Sequence, residues 1–339
     1  MEEQVIFSWG ANSYGQLGLG HRDDRHSPQQ LEGVNFRVKA VTGGGGHTVF
    51  ISAEGRLLVC GWNQKGQLGL GHREDVSVLT QVTALTEPVD TVACGWDFTL
   101  AVTEGGQLFS WGSNAFGQLG VPEVKGHSST STPVQSLQGV KIVGVAAGLR
   151  HTVALDVSTY GKDMANSMYV TDTGSLWTWG AGKKGQLGRL EAGRCPTVSK
   201  LPGRVQLDTD PSIVAVTAGS YHTVALAEDR RVWTWGRADY GQLGRFGDRI
   251  ALPHSCPQPA ELSLLYGVKQ LQCGSEHNIA VVDDQVVCWG WNEHGMCGDG
   301  GEEDVLVPKV VEALQGNTPV WVSTGAGHTM VGMERENTC

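Results

Sequence analysis

Ser8-Trp9-Gly10-Ala11-Asn12-Ser13-Tyr14-Gly15-Gln16-Leu17-Gly18 is the stretch whose recurrence organises this chain. It returns as Gly61-Trp62-Asn63-Gln64-Lys65-Gly66-Gln67-Leu68-Gly69, then at 111–120, 179–188 and 235–244, with a degenerate copy at 289–298. The turn glycine falls at 10, 61, 112, 180, 236 and 290, a period of 51 to 68 residues. Self-similarity at such a period marks a modular array or a propeller and takes precedence over any local motif. A second signature alternates with the first: small residues, then Gly-x-x-His. Its glycines are Gly44, Gly95, Gly148, Gly219, Gly274 and Gly325, and its fourth position is His47, His151, His222, His277 and His328, with Phe98 as the exception. Six copies of each signature predict six structural repeats.

Between the turns lie short apolar runs such as Val38-Lys39-Ala40-Val41, His47-Thr48-Val49-Phe50-Ile51 and Leu57-Leu58-Val59-Cys60. Each repeat therefore reads as three strands plus a weaker outer segment. Pro28, Pro133, Pro196 and Pro308 mark that segment, as suits an edge that need not donate a hydrogen bond, while Val78 to Val82 depart from the rule. Small residues such as Ala146-Ala147-Gly148 end the first strand of each repeat, where innermost strands converging on an axis leave little room. The expectation is an all-β, closed six-bladed β-propeller forming one domain over 1–339. A lone strand at Ile6 to Trp9 is expected to complete the last blade by pairing with Thr329 to Met333, which would remove two sheet edges. An insertion at 156–173 lengthens a hairpin that elsewhere is as short as Ser52-Ala53-Glu54-Gly55.

Composition narrows the function. Glycine accounts for 48 of 339 residues and charged residues for 18%, which fits many tight turns between short strands. A net charge of −10 argues against direct binding to nucleic acid or to an anionic membrane. No apolar run approaches the roughly 20 residues of a membrane helix, and Met1-Glu2-Glu3-Gln4 carries no secretory leader. The eight cysteines contain no C-x-x-C pair, so no zinc or redox motif is expected. Cys60, Cys94, Cys273 and Cys288 read as small-residue replacements, buried as free thiols in a reducing compartment; the expected location is the cytoplasm, with the nucleus second.

The paired signatures Trp-Gly-x-Asn-x-x-Gly-Gln-Leu-Gly and Gly-x-x-His-Thr resemble the regulator of chromosome condensation repeat family, over about residues 4 to 333. Cys94 to Thr99, Trp235 to Gly241 and Trp289 to Gly300 are similar to members connected with exocytosis. The resemblance implies guanine nucleotide exchange on a small GTPase, with an exocyst subunit as a further partner. It also implies seven blades, against six counted here. In the family's Ran exchanger the contacts come largely from the Gly-x-x-His loops, which with the Trp-Gly turns share one face. Carried over position by position, that face holds Trp96, Asp97, Arg150, Tyr221 and Glu276. The wedge loop of the Ran exchanger has no counterpart here.

The recurring histidines have a plainer reading than a metal ring. Equivalent residues in successive blades are structural, each ring bonding a neighbouring group. Gly180-Ala181-Gly182-Lys183-Lys184-Gly185 matches G-x-G-x-x-G but sits in a Trp-Gly turn with no helix after it, so it is not a phosphate loop. No nucleophile–base pair appears; no catalytic residue, metal or cofactor is expected. Two functions follow: exchange, in which Asp97 and Glu276 compete for the GTPase's phosphate-binding lysine or magnesium site, or a scaffold that binds a trafficking protein without exchange. A tryptophan-based light sensor shares the fold, but only Trp96 follows a Gly-x-x-His glycine, so its tryptophan cluster is missing.

Overall fold

The computed structural model describes residues 6–157, 174–209, 211–316, 318–324 and 327–333. Most of the insertion expected at 156–173 therefore lies outside the described residues. Twenty-four strands are described, joined by turns and three short 3-10 segments.

Five four-stranded antiparallel sheets follow one another in the chain, flanked by two half-sheets. The first half-sheet pairs β1 (Phe7–Gly10) with β2 (Arg25–Gln30). The first full sheet runs β3 (Val38–Gly43), β4 (His47–Ser52), β5 (Leu57–Gly61), β6 (Val76–Gln81). The second runs β7 (Val89–Cys94), β8 (Phe98–Thr103), β9 (Leu108–Ser113), β10 (His127–Pro133). The third runs β11 (Ile142–Ala147), β12 (His151–Asp156), β13 (Leu176–Ala181), β14 (Val198–Val205). The fourth runs β15 (Ile213–Ala218), β16 (His222–Ala227), β17 (Val232–Arg237), β18 (Ser255–Glu261). The fifth runs β19 (Val268–Cys273), β20 (His277–Val282), β21 (Gln285–Gly290), β22 (Val305–Val310). The last half-sheet pairs β23 (Pro319–Thr324) with β24 (Thr329–Met333).

The outer segments are thus full strands that take in Pro28, Pro133 and Pro308, whereas Pro196 lies just before β14; each described outer ladder carries a register shift. The half-sheets hold the strand types of one further blade, β23 and β24 being first and second, β1 and β2 third and fourth. The pairing expected between residues 5–9 and 328–333 is not among the described ladders: β1 pairs with β2, and β24 with β23.

The chain divides into two compact units, residues 1–152 with 199–202, and residues 153–198 with 203–339. Within each, second strands are the most deeply buried. β8 and β16 are buried along their whole length, because each lies between two other strands of its sheet and under neighbouring sheets. Their sequences, Phe98 to Thr103 and His222 to Ala227, are accordingly near-continuous apolar runs. In the first unit Val49, Ile51, Val59, Leu68, Ala101 and Trp111 share one core; in the second, Val224, Ile279, Val287 and Trp289 share another.

The repeated motif supplies the joints between blades. The Gln of Gly-Gln-Leu-Gly accepts, on its side-chain oxygen, the backbone N–H two residues earlier, as in Lys65 to Gln67 and Tyr240 to Gln242. Its carbonyl then takes two donors from the next blade: Gln67 from the Trp111 indole (2.9 Å) and the Thr99 hydroxyl (2.7 Å). Gln186 takes Trp235 and Thr223, and Gln242 takes Trp289 and Asn278, in the same way. Asn12, Asn63, Asn114 and Asn292 hold the loop from inside, each accepting a backbone N–H five residues on. Gly112 explains the glycine after the tryptophan. Its φ is 99°, and a Cβ there would lie 2.6 Å from the Asp97 carbonyl.

One cysteine assignment holds and another changes. Cys288 does replace a small residue, standing where Ser110, Thr178 and Thr234 bond a carbonyl in the Gly-Gln-Leu-Gly turn. Cys60 instead takes the tryptophan position, and its thiol reaches the Gln16 carbonyl at 3.4 Å as the indoles do in other blades.

Candidate functional site

In every complete Gly-x-x-His turn described, the glycine N–H bonds the carbonyl of the fourth residue, as in Gly95 to Phe98 and Gly219 to His222. The residue just before the histidine then accepts from the residue after the Trp-Gly glycine: Asp97 from Ser113, Tyr221 from Arg237, Glu276 from Trp291. That ladder brings the two loop types together on one side of each blade, as expected. Neighbouring turns also bond laterally, Gly45 to Trp96 (3.0 Å) and Ser220 to Ser275 (2.7 Å).

Three of the repeat histidines bond a residue of the next sheet. His47 Nε2 lies 3.0 Å from the Thr99 hydroxyl, His222 Nε2 2.8 Å from Asn278 Oδ1, and His277 Nε2 3.0 Å from the Thr329 hydroxyl. Thr99 and Thr329 already donate their protons to Gln67 and Met296, so in each case Nε2 must donate. Burial holds all three rings neutral and lowers their pKa values to about 4. His151 is equally buried. His328 departs from the set: it is exposed, and no described strand follows β24 to supply the hydroxyl.

The five proposed contact residues fall in two clusters, one per unit. In the first unit Trp96 is 46% exposed. Beside it Asp97 is half-buried; burial raises its pKa, opposed by a bond from Ser113 and by the charges of Arg150 and Lys65. Arg150 is exposed and lies over the Phe116 ring at 4.6 Å. Tyr14 and Trp62 stack at 5.4 Å beside Gly46, whose missing side chain leaves room for the Tyr14 ring and the Trp62 Cβ.

In the second unit the structure corrects the reading of Glu276. It is buried, 7% exposed, and not a free loop carboxylate. Arg237 Nη1 donates to it at 3.2 Å and Gln242 Nε2 at 2.7 Å. Burial outweighs both partners and raises its pKa to about 7. Arg237 also grips Asp239 through Nε at 2.6 Å and packs over Tyr240 at 4.5 Å, with Tyr221 at 5.8 Å. Burial works against the Arg237 charge, but its carboxylate partners prevail and raise its pKa. Trp291 borders Tyr240 at 6.4 Å and His294 at 5.8 Å.

Sequence reasoning passed over Arg237, Tyr240, Trp291, Trp62 and Phe116. Two periodic positions would have found them: the residue after the Trp-Gly glycine and the residue before Gly-Gln-Leu-Gly. Among the described residues no group of three His, Cys, Asp or Glu side chains could hold a metal ion. No helix there is long and apolar enough to cross a membrane.

Four-stranded blades joined through alternating Trp-Gly and Gly-x-x-His turns define a repeat protein of the propeller class. The regulator of chromosome condensation (RCC1) repeat matches residues 5–51, 54–102, 105–155, 173–226, 229–281 and 283–331, and the chain belongs to that family. It is 41% identical to the mouse (Mus musculus) secretion-regulating guanine nucleotide exchange factor over 390 aligned positions, covering 96% of this chain and 83% of the mouse protein. Because 390 exceeds the 339 residues here, the matched span of the mouse protein is longer by about one repeat. Among solved structures, human WBSCR16 is similar with a TM-score of 0.80 at 21% identity, covering 99% of this chain and 88% of that one. Prp20p from Saccharomyces cerevisiae is similar with a TM-score of 0.59 at 21% identity, covering 100% and 93%. Both likenesses concern the fold.

Proposed function

We propose that this chain is a guanine nucleotide exchange factor for a small GTPase and acts in the regulation of secretion. The observation that carries the reading is the 41% identity, across 96% of the chain, with a mouse relative whose name states both properties. Exchange of this kind makes and breaks no bond in the protein. It requires only that the nucleotide-free GTPase bind more tightly than the loaded one, and that difference sets the acceleration. Trp96, Asp97 and Arg150 offer an aromatic face and both charges on one loop cluster suited to such a partner.

The test is release of a fluorescent guanine nucleotide from a panel of small GTPases by the purified chain. Acceleration of one member by tenfold or more supports exchange. Binding without acceleration favours the second reading, a scaffold for an exocyst or trafficking subunit. One feature supports that second reading: Glu276 is committed to Arg237 and Gln242 and is not free to compete for a GTPase's lysine or magnesium. Either activity belongs in the cytoplasm, with the nucleus as a second site, which fluorescence microscopy of the tagged chain would test.

A further inference from the structure

The residue after Gly-Gln-Leu-Gly is Leu19, Leu70 and Val121 in the first three copies, but Arg189 and Arg245 in the next two. Leu19 and Leu70 form β-bridges, to Val78 and Thr130, in the outer strand of the next sheet. At the two arginine copies the same position lines a cleft of about 990 Å³ between the outer strands β14 and β18, shared with Arg204, Asp208, Ser255 and Gln258. Three cations at one cleft are unexpected in a chain of net charge −10.

Their bonding differs. Arg189 is committed, through Nη1 to Glu191 and through Nη2 to the Thr178 carbonyl. Arg204 is exposed and donates to a neutral group, the Ser175 hydroxyl at 2.6 Å. Arg245 is half-buried, and its Nε and Nη2 are both buried without a hydrogen-bond partner. These two nitrogens share one edge of the guanidinium, the planar fork that takes a carboxylate or phosphate in two parallel bonds. The carboxylate lining the cleft, Asp208, is occupied by the Trp233 indole at 3.2 Å and the Thr209 N–H at 3.0 Å. Burial accordingly presses the Arg245 pKa below its usual value. A cation with its bidentate edge buried and no acceptor on that edge is costly unless an anion completes it.

We infer that this cleft binds a phosphate group, held by the Nε/Nη2 edge of Arg245 with Arg204 as the second cation. Two cations lacking a carboxylate partner among the described residues match a dianion. A carboxylate would satisfy only one of them. The group is a phosphate monoester, whether on a small molecule or on a phosphorylated side chain of a partner protein.

The test uses the full chain in phosphate-free buffer of low salt. Inorganic phosphate, acetate, a phosphoserine peptide and its serine and glutamate versions are titrated by calorimetry and by thermal unfolding. Saturable binding of phosphate, at least tenfold tighter than acetate, is expected. Arg204→Gln, at an exposed position, should weaken it tenfold or more, and Arg245→Gln should abolish it. Without phosphate, Arg245→Gln should unfold at the same or a higher temperature, since an uncompensated charge is removed; an arginine serving only structure would lower it. A phosphopeptide that binds tighter than inorganic phosphate identifies a phosphoprotein as the source, and equal binding identifies a small molecule. The proposal is overturned if phosphate shows no saturable effect, if acetate or the glutamate peptide matches it, or if Arg204→Gln and Arg245→Gln both bind as the native chain does.

Discussion

Gln242 donates its side-chain amide to the Glu276 carboxylate at 2.7 Å, across 34 residues of sequence, and so ties a Trp-Gly loop to the next blade's Gly-x-x-His turn. With Arg237 on its other oxygen, Glu276 is a structural acceptor. Removing one member of such a buried set leaves the others unpaired. Glu276→Ala should therefore lower stability by about 3 kcal/mol, measured by urea unfolding.

The same residue predicts a pH slope. Its folded pKa of about 7 lies above the ordinary value of 4.5, so the folded state holds the proton more tightly. The stabilisation is then complete below about 4.5 and is lost as pH rises through 7, by up to about 3 kcal/mol. The difference in unfolding free energy between the native chain and Glu276→Gln should shrink over that interval. A flat difference would show that the carboxyl is ionised throughout.

The histidines act in the opposite sense. Their folded pKa values of about 4 lie below 6.5, so the unfolded chain binds the protons and stability falls as pH drops from 6.5 towards 4. Phe98 occupies the same slot in the second sheet and shows what a ring without nitrogen does there. His47→Phe keeps the Thr99 to Gln67 bond, so it should cost only about 1 kcal/mol at pH 7 while removing part of the acid loss. Thermal unfolding between pH 4 and 7 would measure both effects.

Trp96→Ala is the clean probe of the contact face. The side chain is 46% exposed, so its loss should change stability by about 0.5 kcal/mol or less, yet weaken partner association tenfold or more if it is an anchor. Asp97→Ala is less clean than its loop position suggests, because the carboxylate is half-buried between Arg150 and Lys65.

Burial also sets thiol chemistry. Cys60, Cys94 and Cys273 have pKa values pushed up to about 12, which leaves almost no thiolate at pH 8. An aromatic disulfide reagent should label Cys195 and Cys256, whose thiol pKa values burial raises less, well before those three. Mass mapping after short exposure gives the order.

The blade count and strand types were legible because Trp, Gln, Thr and Gly recur where they bond one another across a boundary. His47, His222 and His277 share one bonding pattern at one repeat position, which His328 does not follow. Glu276 was not legible. Its loop position suggests a solvated carboxylate, and what buries it are Arg237 and Gln242, 39 and 34 residues earlier. Cys60 was misassigned because its role is defined by a partner, the Gln16 carbonyl, 44 residues away. Departures from a repeat announce that something differs at a position; the neighbour that gives the difference its meaning is non-local.

Every joint built on a Gln carbonyl, an indole and a hydroxyl or amide is interchangeable with the next. Excising one whole repeat at matching positions leaves a carbonyl on one side and its two donors on the other, so the new neighbours fit without redesign. Blade number is then a quantity that recombination can change in single steps.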